Sequence, residues 1–352
     1  MHSYNHLWEK FISDENIDLA IKNALKGKRR RNRVMKQLEN PNFHDNIKAY
    51  AQNFHNAPHK PKIIYDGVQR KKRTIIVPTF REQVIHHMVV NVLKPIFEKS
   101  FYYHSYGSIP NKGCHKGMKT IKKWIKTDLE NCKYCLKMDI KKYFESIPHD
   151  VYLEKMRNLI HDKKFLSVVE EITNVCDKGI PLGFYLSQWT ANWYLTGLDH
   201  FVKECLHAKY YIRLMDDMVI FADNKIFLHY AKDAIETYLS AIGLELKENW
   251  QIFPLKSRPL DYMGFRFYSN RVTLRKSLLR KATRKAVKIW KMGKVTIHAY
   301  RQMLSYLGWI KATDTYRYYE THIKPYVTFQ KAKRRISRYD RRMNNELVQN
   351  AI

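Results

Sequence analysis

Apolar residues recur at helical spacing between Val84 and Ile96, at positions 84, 85, 88, 89, 92, 93 and 96. The spacing predicts a core helix, with His86 and His87 as structural residues on it. Further helices are predicted over 149–160, 163–175, 187–206 and 226–242. Short apolar runs at Thr74–Val77, Tyr134–Met138, Tyr210–Leu214 and Met218–Ala222 read instead as strands. Strands alternating with helices give an α/β class. Gly and Pro number only 12 and 11, and no repeat or low-complexity linker interrupts the pattern. The chain is therefore expected to consist mostly of regular elements with short connections.

Polar residues break this pattern most sharply at Asp216-Asp217. An apolar strand runs into the pair and another runs out, so the acids sit at a hairpin tip. Two carboxylates in one tight turn repel each other and favour a bound divalent cation. By itself such a tip is equally a solvated turn. A further acid, Asp139, closes the strand that starts at Tyr134. If the strands are neighbours in one sheet, the three carboxylates converge. They could then hold two Mg²⁺ ions about 3.5–4 Å apart for in-line phosphoryl transfer. Cys132 and Cys135 invite a zinc reading, but no second pair stands at usable spacing, so packing is the expectation.

Composition adds a partner class. The chain has 352 residues, with 64 Lys/Arg against 33 Asp/Glu and a net charge of +31. Residues 271–352 carry 21 Lys/Arg against four Asp/Glu. Trp290, Tyr300, Tyr306, Trp309, Tyr316, Tyr318 and Tyr319 are interleaved there. Cations with aromatics suit a surface that holds phosphates and stacks bases, although the spacing of Tyr306 and Trp309 fits helix core. A second basic run, Lys26–Arg33, is either a grip on structured RNA or a solvated loop. The candidate nucleic-acid contacts are Lys28, Arg29, Arg30, Arg31, Arg275, Lys276, Arg284 and Trp309. No apolar run approaches the ~18 residues of a membrane span, and the N-terminus lacks the apolar core of a secretory signal. Five cysteines do not read as a disulfide framework. A cytoplasmic protein with no membrane partner is the expectation.

An ordered series of segments resembles the reverse transcriptase family. Arg73-Thr-Ile-Ile-Val-Pro78-Thr-Phe-Arg81-Glu82 resembles its fingers motif, and Ser105–Gly113 the next. Met138–Ile147 (MDIKKYFESI) resembles the first palm motif and Gly179–Gln188 (GIPLGFYLSQ) the nucleotide-side motif. Leu214–Asp217 stands where the family has Tyr-x-Asp-Asp, Lys247 at the palm lysine, and Tyr262–Phe267 at the primer-grip turn. The resemblance implies a right-hand polymerase with fingers, a ferredoxin-like palm (α+β) and a helical thumb. The implied divisions are a basic helical extension over 1–62, fingers over 63–130, palm over 131–268 and thumb over 269–352.

The same resemblance implies roles for individual residues. Two Mg²⁺ ions, or Mn²⁺, would be held by Asp139, Asp216 and Asp217, with Ile140 beside them. Lys247 would neutralise or protonate pyrophosphate, or else be a palm-edge surface lysine. Arg73, Arg81, Leu182, Gly183, Ser187 and Gln188 would surround the incoming nucleotide. Phe144, five residues past Asp139, falls at the steric gate, where a bulky ring leaves no room for a ribose 2′-hydroxyl. Tyr262, Met263, Gly264 and Phe265 would form the primer grip. The implied partners are an RNA template, a DNA product, a noncoding RNA and an accessory protein. Nothing in the chain indicates an oligomeric state.

Three departures from the family pattern matter. Leu214 replaces the tyrosine of the Asp-Asp loop, so altered primer handling or fidelity is expected. Leu182 and Gln188 stand where retroviral and intron enzymes have Gln and Pro. That variant resembles diversity-generating retroelement enzymes, where an aliphatic residue goes with error-prone copying, and some enzymes of bacterial antiphage defence. No Cys-pair-rich endonuclease segment or RNase H acids are seen, which argues against a complete group II intron protein. Outside the polymerase class, a degenerate RNA-binding protein and a two-metal nuclease are the competing readings.

Overall fold

The apolar face that begins at Val84 belongs to a helix spanning Phe80–Ser100. It starts at Phe80 because Thr79 and Glu82 form a capping box, each side chain accepting the other's backbone N–H. Val84, Ile85, Met88, Val89, Leu93 and Phe97 are buried. They pack against the helices Asp14–Ala24 and Tyr185–Tyr194. His86 is fully buried, with its ring 4.5 Å from Phe184, and His87 lies 4.1 Å from the Tyr185 ring.

This computed structural model describes residues 3–29, 31–66 and 71–349. The chain packs as two compact units, Met1–Asn111 with Leu136–Ile252 and Lys112–Cys135 with Phe253–Ile352. The strands are β1 (Pro61–Asp66), β2 (Lys71–Ile76), β3 (Tyr134–Asp139), β4 (Tyr210–Leu214), β5 (Asp217–Ala222), β6 (Gln251–Pro254), β7 (Leu260–Tyr262), β8 (Phe265–Phe267) and β9 (Val272–Leu274). β1 and β2 form an antiparallel hairpin. The central sheet has the order β4-β5-β3-β6, so the two acid-bearing strands are neighbours. β4 and β5 are joined by the two-residue turn Met215-Asp216, with Leu214 opposite Asp217. The third sheet is β7-β8-β9, followed by the helices Lys276–Trp290, Ile297–Lys311, Tyr316–His322 and Phe329–Gln349.

The helices expected over 149–160, 163–175 and 226–242 appear as His149–Leu159, Lys163–Thr173 and Lys225–Ala241. The one expected over 187–206 is instead broken into Tyr185–Tyr194, Thr196–His200 and a π-helical turn, Phe201–Cys205. The interruption falls at Leu195, between Asn192 and Asp199, which both reach a charged side chain buried in the central sheet. Gly197 admits the Tyr238 hydroxyl, which would lie 2.5 Å from any Cβ there. Cys132 and Cys135 are buried. Among the described residues no helix is long and apolar enough to cross a membrane.

Candidate active site

A cleft of about 1150 Å³ opens at the acidic end of the central sheet. Asp139, Asp216 and Asp217 all line it, together with Ile140, Phe144, Arg73, Leu182 and Lys247. The convergence follows from the sheet order, since β3 ends at Asp139 and its neighbour β5 begins at Asp217. Burial and the adjacent Asp139 carboxylate push Asp216 up to about 7, with a hydrogen-bonding contact between the two carboxyls. Lys247 Nζ lies 2.9 Å from Asp139 Oδ2, which raises the lysine above its ordinary value. Lys137 Nζ lies 3.9 Å from Asp217 Oδ1. The backbone explains Lys247: its N–H donates to the Asp139 carbonyl at 2.9 Å, and Lys141 N–H donates to the Glu245 carbonyl. These bonds flank the Ile140–Leu246 bridge, so Ile140 turns its own carbonyl away from that ladder.

Among the described residues, no group of three or more His, Cys, Asp or Glu side chains is placed as it stands to hold a metal ion. The donor chemistry nevertheless fits a hard divalent cation: three carboxylates at one end of a polar cleft, two of them touching ammonium groups.

The turn carrying these acids is held from below. Met215 adopts left-handed backbone at φ 57°. Its carbonyl accepts from Arg213 Nη1 at 3.0 Å. Arg213 is fully buried on β4 and pairs with the equally buried Asp199, Nε to Oδ1 being 2.7 Å. Burial alone would lower the guanidinium's pKa, but Asp199 more than offsets this and holds it above its ordinary value. Tyr211 also donates to Asp199, at 2.8 Å. Asn192 accepts from Arg213 and donates to the Gly107 carbonyl at 2.9 Å. Gly107 sits directly against Met215, whose Sδ would lie 2.5 Å from a Cβ at that position. The backbone of His104–Tyr106 brackets Arg213 with two further hydrogen bonds. Arg213, Asp199, Asn192, Gly107 and Lys137 are the functional neighbours that the sequence reading missed. The available signal was Arg213 itself, a charge within an otherwise apolar strand.

Phe144 faces the cleft half-buried, while Tyr143 is buried behind it and donates to the Ala191 carbonyl. The register is fixed through the backbone. Ile180 N–H donates to the Phe144 carbonyl at 2.7 Å, and Gly179 gives room for that approach. Ile76 N–H, at the end of β2, donates to the Leu182 carbonyl at 2.8 Å. Gly183 at φ 110° lets the Ile76 carbonyl oxygen come within 2.2 Å of where a Cβ would stand. Arg73 and Leu182 thus reach one cleft from two segments that are locked together.

The remaining expected contacts lie outside the cleft lining. Ser187 is buried and donates to the Pro181 carbonyl at 2.7 Å, so its hydroxyl is committed to the loop. Gln188 accepts from Ser108 at 2.9 Å and does not line the cleft. Arg81 is exposed and also outside the cleft lining. In the second unit Tyr262, Met263 and Phe265 are buried side chains. Met263 and Gly264 form the β7–β8 turn, both with positive φ, and Gly264 packs over Trp309. Trp309 stacks on Phe265 at 5.0 Å and lies 4.6 Å from His115, so its role is packing. Arg275 pairs with Asp261. Lys28 donates to the Ala24 carbonyl and to Gln83, which makes it a tie to the Phe80–Ser100 helix. Arg29, Arg31, Lys276 and Arg284 are exposed, and Arg30 lies outside the described residues.

Residues 58–267 match the family model of the reverse transcriptase (RNA-dependent DNA polymerase). The chain belongs to that family. It is 29% identical over 145 residues to the group II intron-encoded protein LtrA of Lactococcus lactis, covering 38% of this chain and 24% of that protein. It is 28% identical over 152 residues to an uncharacterized 91 kDa protein in the cob intron of Schizosaccharomyces pombe, covering 40% and 18%. The matched segment thus spans less than a quarter of either relative. In solved structures the fold resembles telomerase from Candida albicans in complex with a fragment of telomeric RNA, with a TM-score of 0.50 at 13% identity, covering 88% of this chain and 64% of that one. Apo telomerase from Candida tropicalis also gives 0.50, at 14% identity and 76% and 58% coverage. The right-hand polymerase fold expected from the motif series is the fold of this reverse transcriptase.

Proposed function

We propose that this reverse transcriptase is an RNA-directed DNA polymerase that extends a 3′-hydroxyl with deoxynucleotides on an RNA template. The observation that carries the reading is one cleft shared by Asp139, Asp216, Asp217 and Phe144. Asp139, Asp216 and Asp217 would hold two Mg²⁺ ions, which supply Lewis acidity to the attacking hydroxyl and charge neutralisation to the leaving pyrophosphate. Phe144 excludes the ribose 2′-hydroxyl by its ring. Arg73 binds triphosphate from the fingers strand, and Leu182 forms the apolar wall beside the base. Lys247, already against Asp139, is placed to exchange that contact for pyrophosphate as the cleft fills.

The test is primer extension on an RNA template with Mg²⁺, comparing wild type with Asp216→Asn. The variant should make no DNA and bind RNA nearly as wild type, because phosphate contacts from Lys and Arg dominate affinity. Full synthesis by the variant, or none by the wild type alongside tight RNA binding, would overturn the assignment. The second outcome would favour a degenerate binding protein.

For the biological setting we propose a diversity-generating retroelement, with a noncoding RNA as template and an accessory protein as partner. Support comes from Leu182, an aliphatic side chain lining the nucleotide cleft, and from Gln188, whose carboxamide is engaged by Ser108. Leu182 offers no polar group to police base-pair geometry, and Gln188 does not line the cleft. An antiphage-defence enzyme shares the same residue pattern. Sequencing the DNA made in cells separates them: substitutions concentrated opposite template adenines support the retroelement, and faithful copies of a dedicated RNA support defence.

A further inference from the structure

The thumb-like helices end in a recess that the polymerase reading leaves without a role. It has a volume of about 460 Å³ and lies where the Lys276–Trp290 helix ends and the Ile297–Lys311 and Phe329–Gln349 helices begin. Trp290 is 61% exposed, and Tyr326 stands nearly perpendicular to it, with ring centroids 5.9 Å apart. Ile289, Tyr300 and Val327 are buried at this end of the helices and also line the recess. Exposed Lys294, Lys331 and Arg335 complete the rim, and none of the three has an acidic partner among the described residues. A solvated tryptophan wastes its large apolar ring unless a planar partner covers it. Three unneutralised cations around that ring select a partner that is planar and anionic together. The 15-residue helix preceding Trp290 is about 22 Å long at 1.5 Å per residue. The recess is therefore some 20 Å from the β7-β8-β9 sheet at the helix's other end.

We propose that this recess is an anchoring site for an unpaired nucleotide of single-stranded RNA. The base stacks on Trp290 against the Tyr326 edge, and Lys294, Lys331 and Arg335 hold the flanking phosphates. The choice of RNA rests on the polymerase reading above, whereas the stacking chemistry does not. The distance from the primer-grip sheet separates a nucleotide held here from the bases gripped there. Base–aromatic stacking contributes about 1–3 kcal/mol per base, which converts to roughly 5- to 150-fold in affinity.

The experiment measures binding of a labelled single-stranded RNA oligonucleotide and of the same oligonucleotide with abasic positions, using full-length wild type, Trp290→Ala and Trp290→Phe. The expected result is a loss of about 5- to 150-fold for Trp290→Ala and near-wild-type binding for Trp290→Phe. Wild type should bind abasic RNA about as weakly as Trp290→Ala binds intact RNA. Because Trp290 is exposed, equal melting temperatures are expected and confirm folding. Equal affinity of wild type and Trp290→Ala, or no preference for bases over abasic sites, overturns the proposal. Displacement of RNA by polyglutamate with no abasic effect would instead assign the recess to an acidic peptide. If the wild type fails to synthesise DNA yet the Trp290 and abasic effects persist, the polymerase reading fails and this site stands.

Discussion

Asp199→Asn tests whether the catalytic turn depends on the ion pair beneath it. The substitution keeps shape and leaves Asn able to accept from Tyr211, but strands the Arg213 guanidinium without a counter-charge. Both side chains are fully buried, so water cannot replace the lost carboxylate. Removing one member of a buried pair costs about 3–5 kcal/mol. For a unit of this size that is a fall in melting temperature of roughly 6–20 °C. Catalysis should suffer separately, because Arg213 also donates to the Met215 carbonyl and a shifted guanidinium releases the turn carrying Asp216 and Asp217. Thermal unfolding reports the first effect. Primer extension over a Mg²⁺ titration, at a temperature where the variant stays folded, reports the second. The expected signature is a lower turnover number with more Mg²⁺ needed for half-maximal rate, and little change in RNA affinity. The double variant Asp199→Leu/Arg213→Met should recover most of the stability, since it leaves no unpaired charge, but not the Mg²⁺ requirement. A melting temperature within 1–2 °C of wild type for Asp199→Asn would refute the stability argument. Full activity of the double variant would refute the positioning argument.

Three further outcomes follow from other contacts. Phe144→Ala should weaken discrimination against ribonucleotides by about 1–3 kcal/mol, or 10- to 200-fold in the ratio of kcat/KM values, as seen by competing dNTP and rNTP in single-nucleotide incorporation. Gly183→Ala places a Cβ 2.2 Å from the Ile76 oxygen at φ 110°, so it should separate β2 from the nucleotide loop and raise the KM for dNTP more than it lowers RNA affinity. His86 is fully buried, and burial pushes it down to about 3 from an ordinary value near 6.5. Because the unfolded chain takes up this proton first, the contribution of neutral His86 is complete above about pH 6.5 and is lost as pH falls towards 3. His86→Leu should therefore show a shallower acid limb in a stability–pH profile than wild type, and an unchanged difference between the two from pH 6.5 to 4 would contradict this.

Local signals made much of this architecture readable. The strands are short apolar runs with clear ends, and the three acids announce themselves because each terminates such a run. The helices expected over 149–160, 163–175 and 226–242 held to within two residues, whereas the one read from Val84 to Ile96 runs from Phe80 to Ser100, its start set by the Thr79–Glu82 capping box. What stayed hidden was whatever depends on a partner far away in the chain. Ser187 and Gln188 have the right residue types for a nucleotide pocket. Yet the Ser187 hydroxyl goes to Pro181, and Gln188 goes to Ser108, 80 positions away. Partners of the basic residues were hidden for the same reason. Lys28 and Arg275 are engaged by Gln83 and Asp261, whereas Trp290, unremarkable among its aromatic neighbours in the sequence, is left 61% exposed.

The break in the 187–206 helix shows why such contacts override periodicity. Helical spacing continues through Leu195, and an unbroken helix would satisfy more backbone hydrogen bonds. Against that gain stands the buried charge of Arg213, which is unaffordable in an apolar sheet unless a carboxylate reaches it. Asn192 and Asp199 are seven residues apart, about two helical turns, and both contact the same guanidinium. Two turns apart, they share one helix face and bracket the guanidinium from either side. The interruption at Leu195 falls between them, and Gly197 gives the second segment room under the Tyr238 hydroxyl. A few hydrogen bonds at about 1 kcal/mol each are exchanged for a pair whose disruption costs several times that. Gly197→Ala should destabilise the protein even though alanine is the better helix former, because its Cβ would stand 2.5 Å from the Tyr238 hydroxyl, and a raised melting temperature would show that helix propensity outweighs this contact.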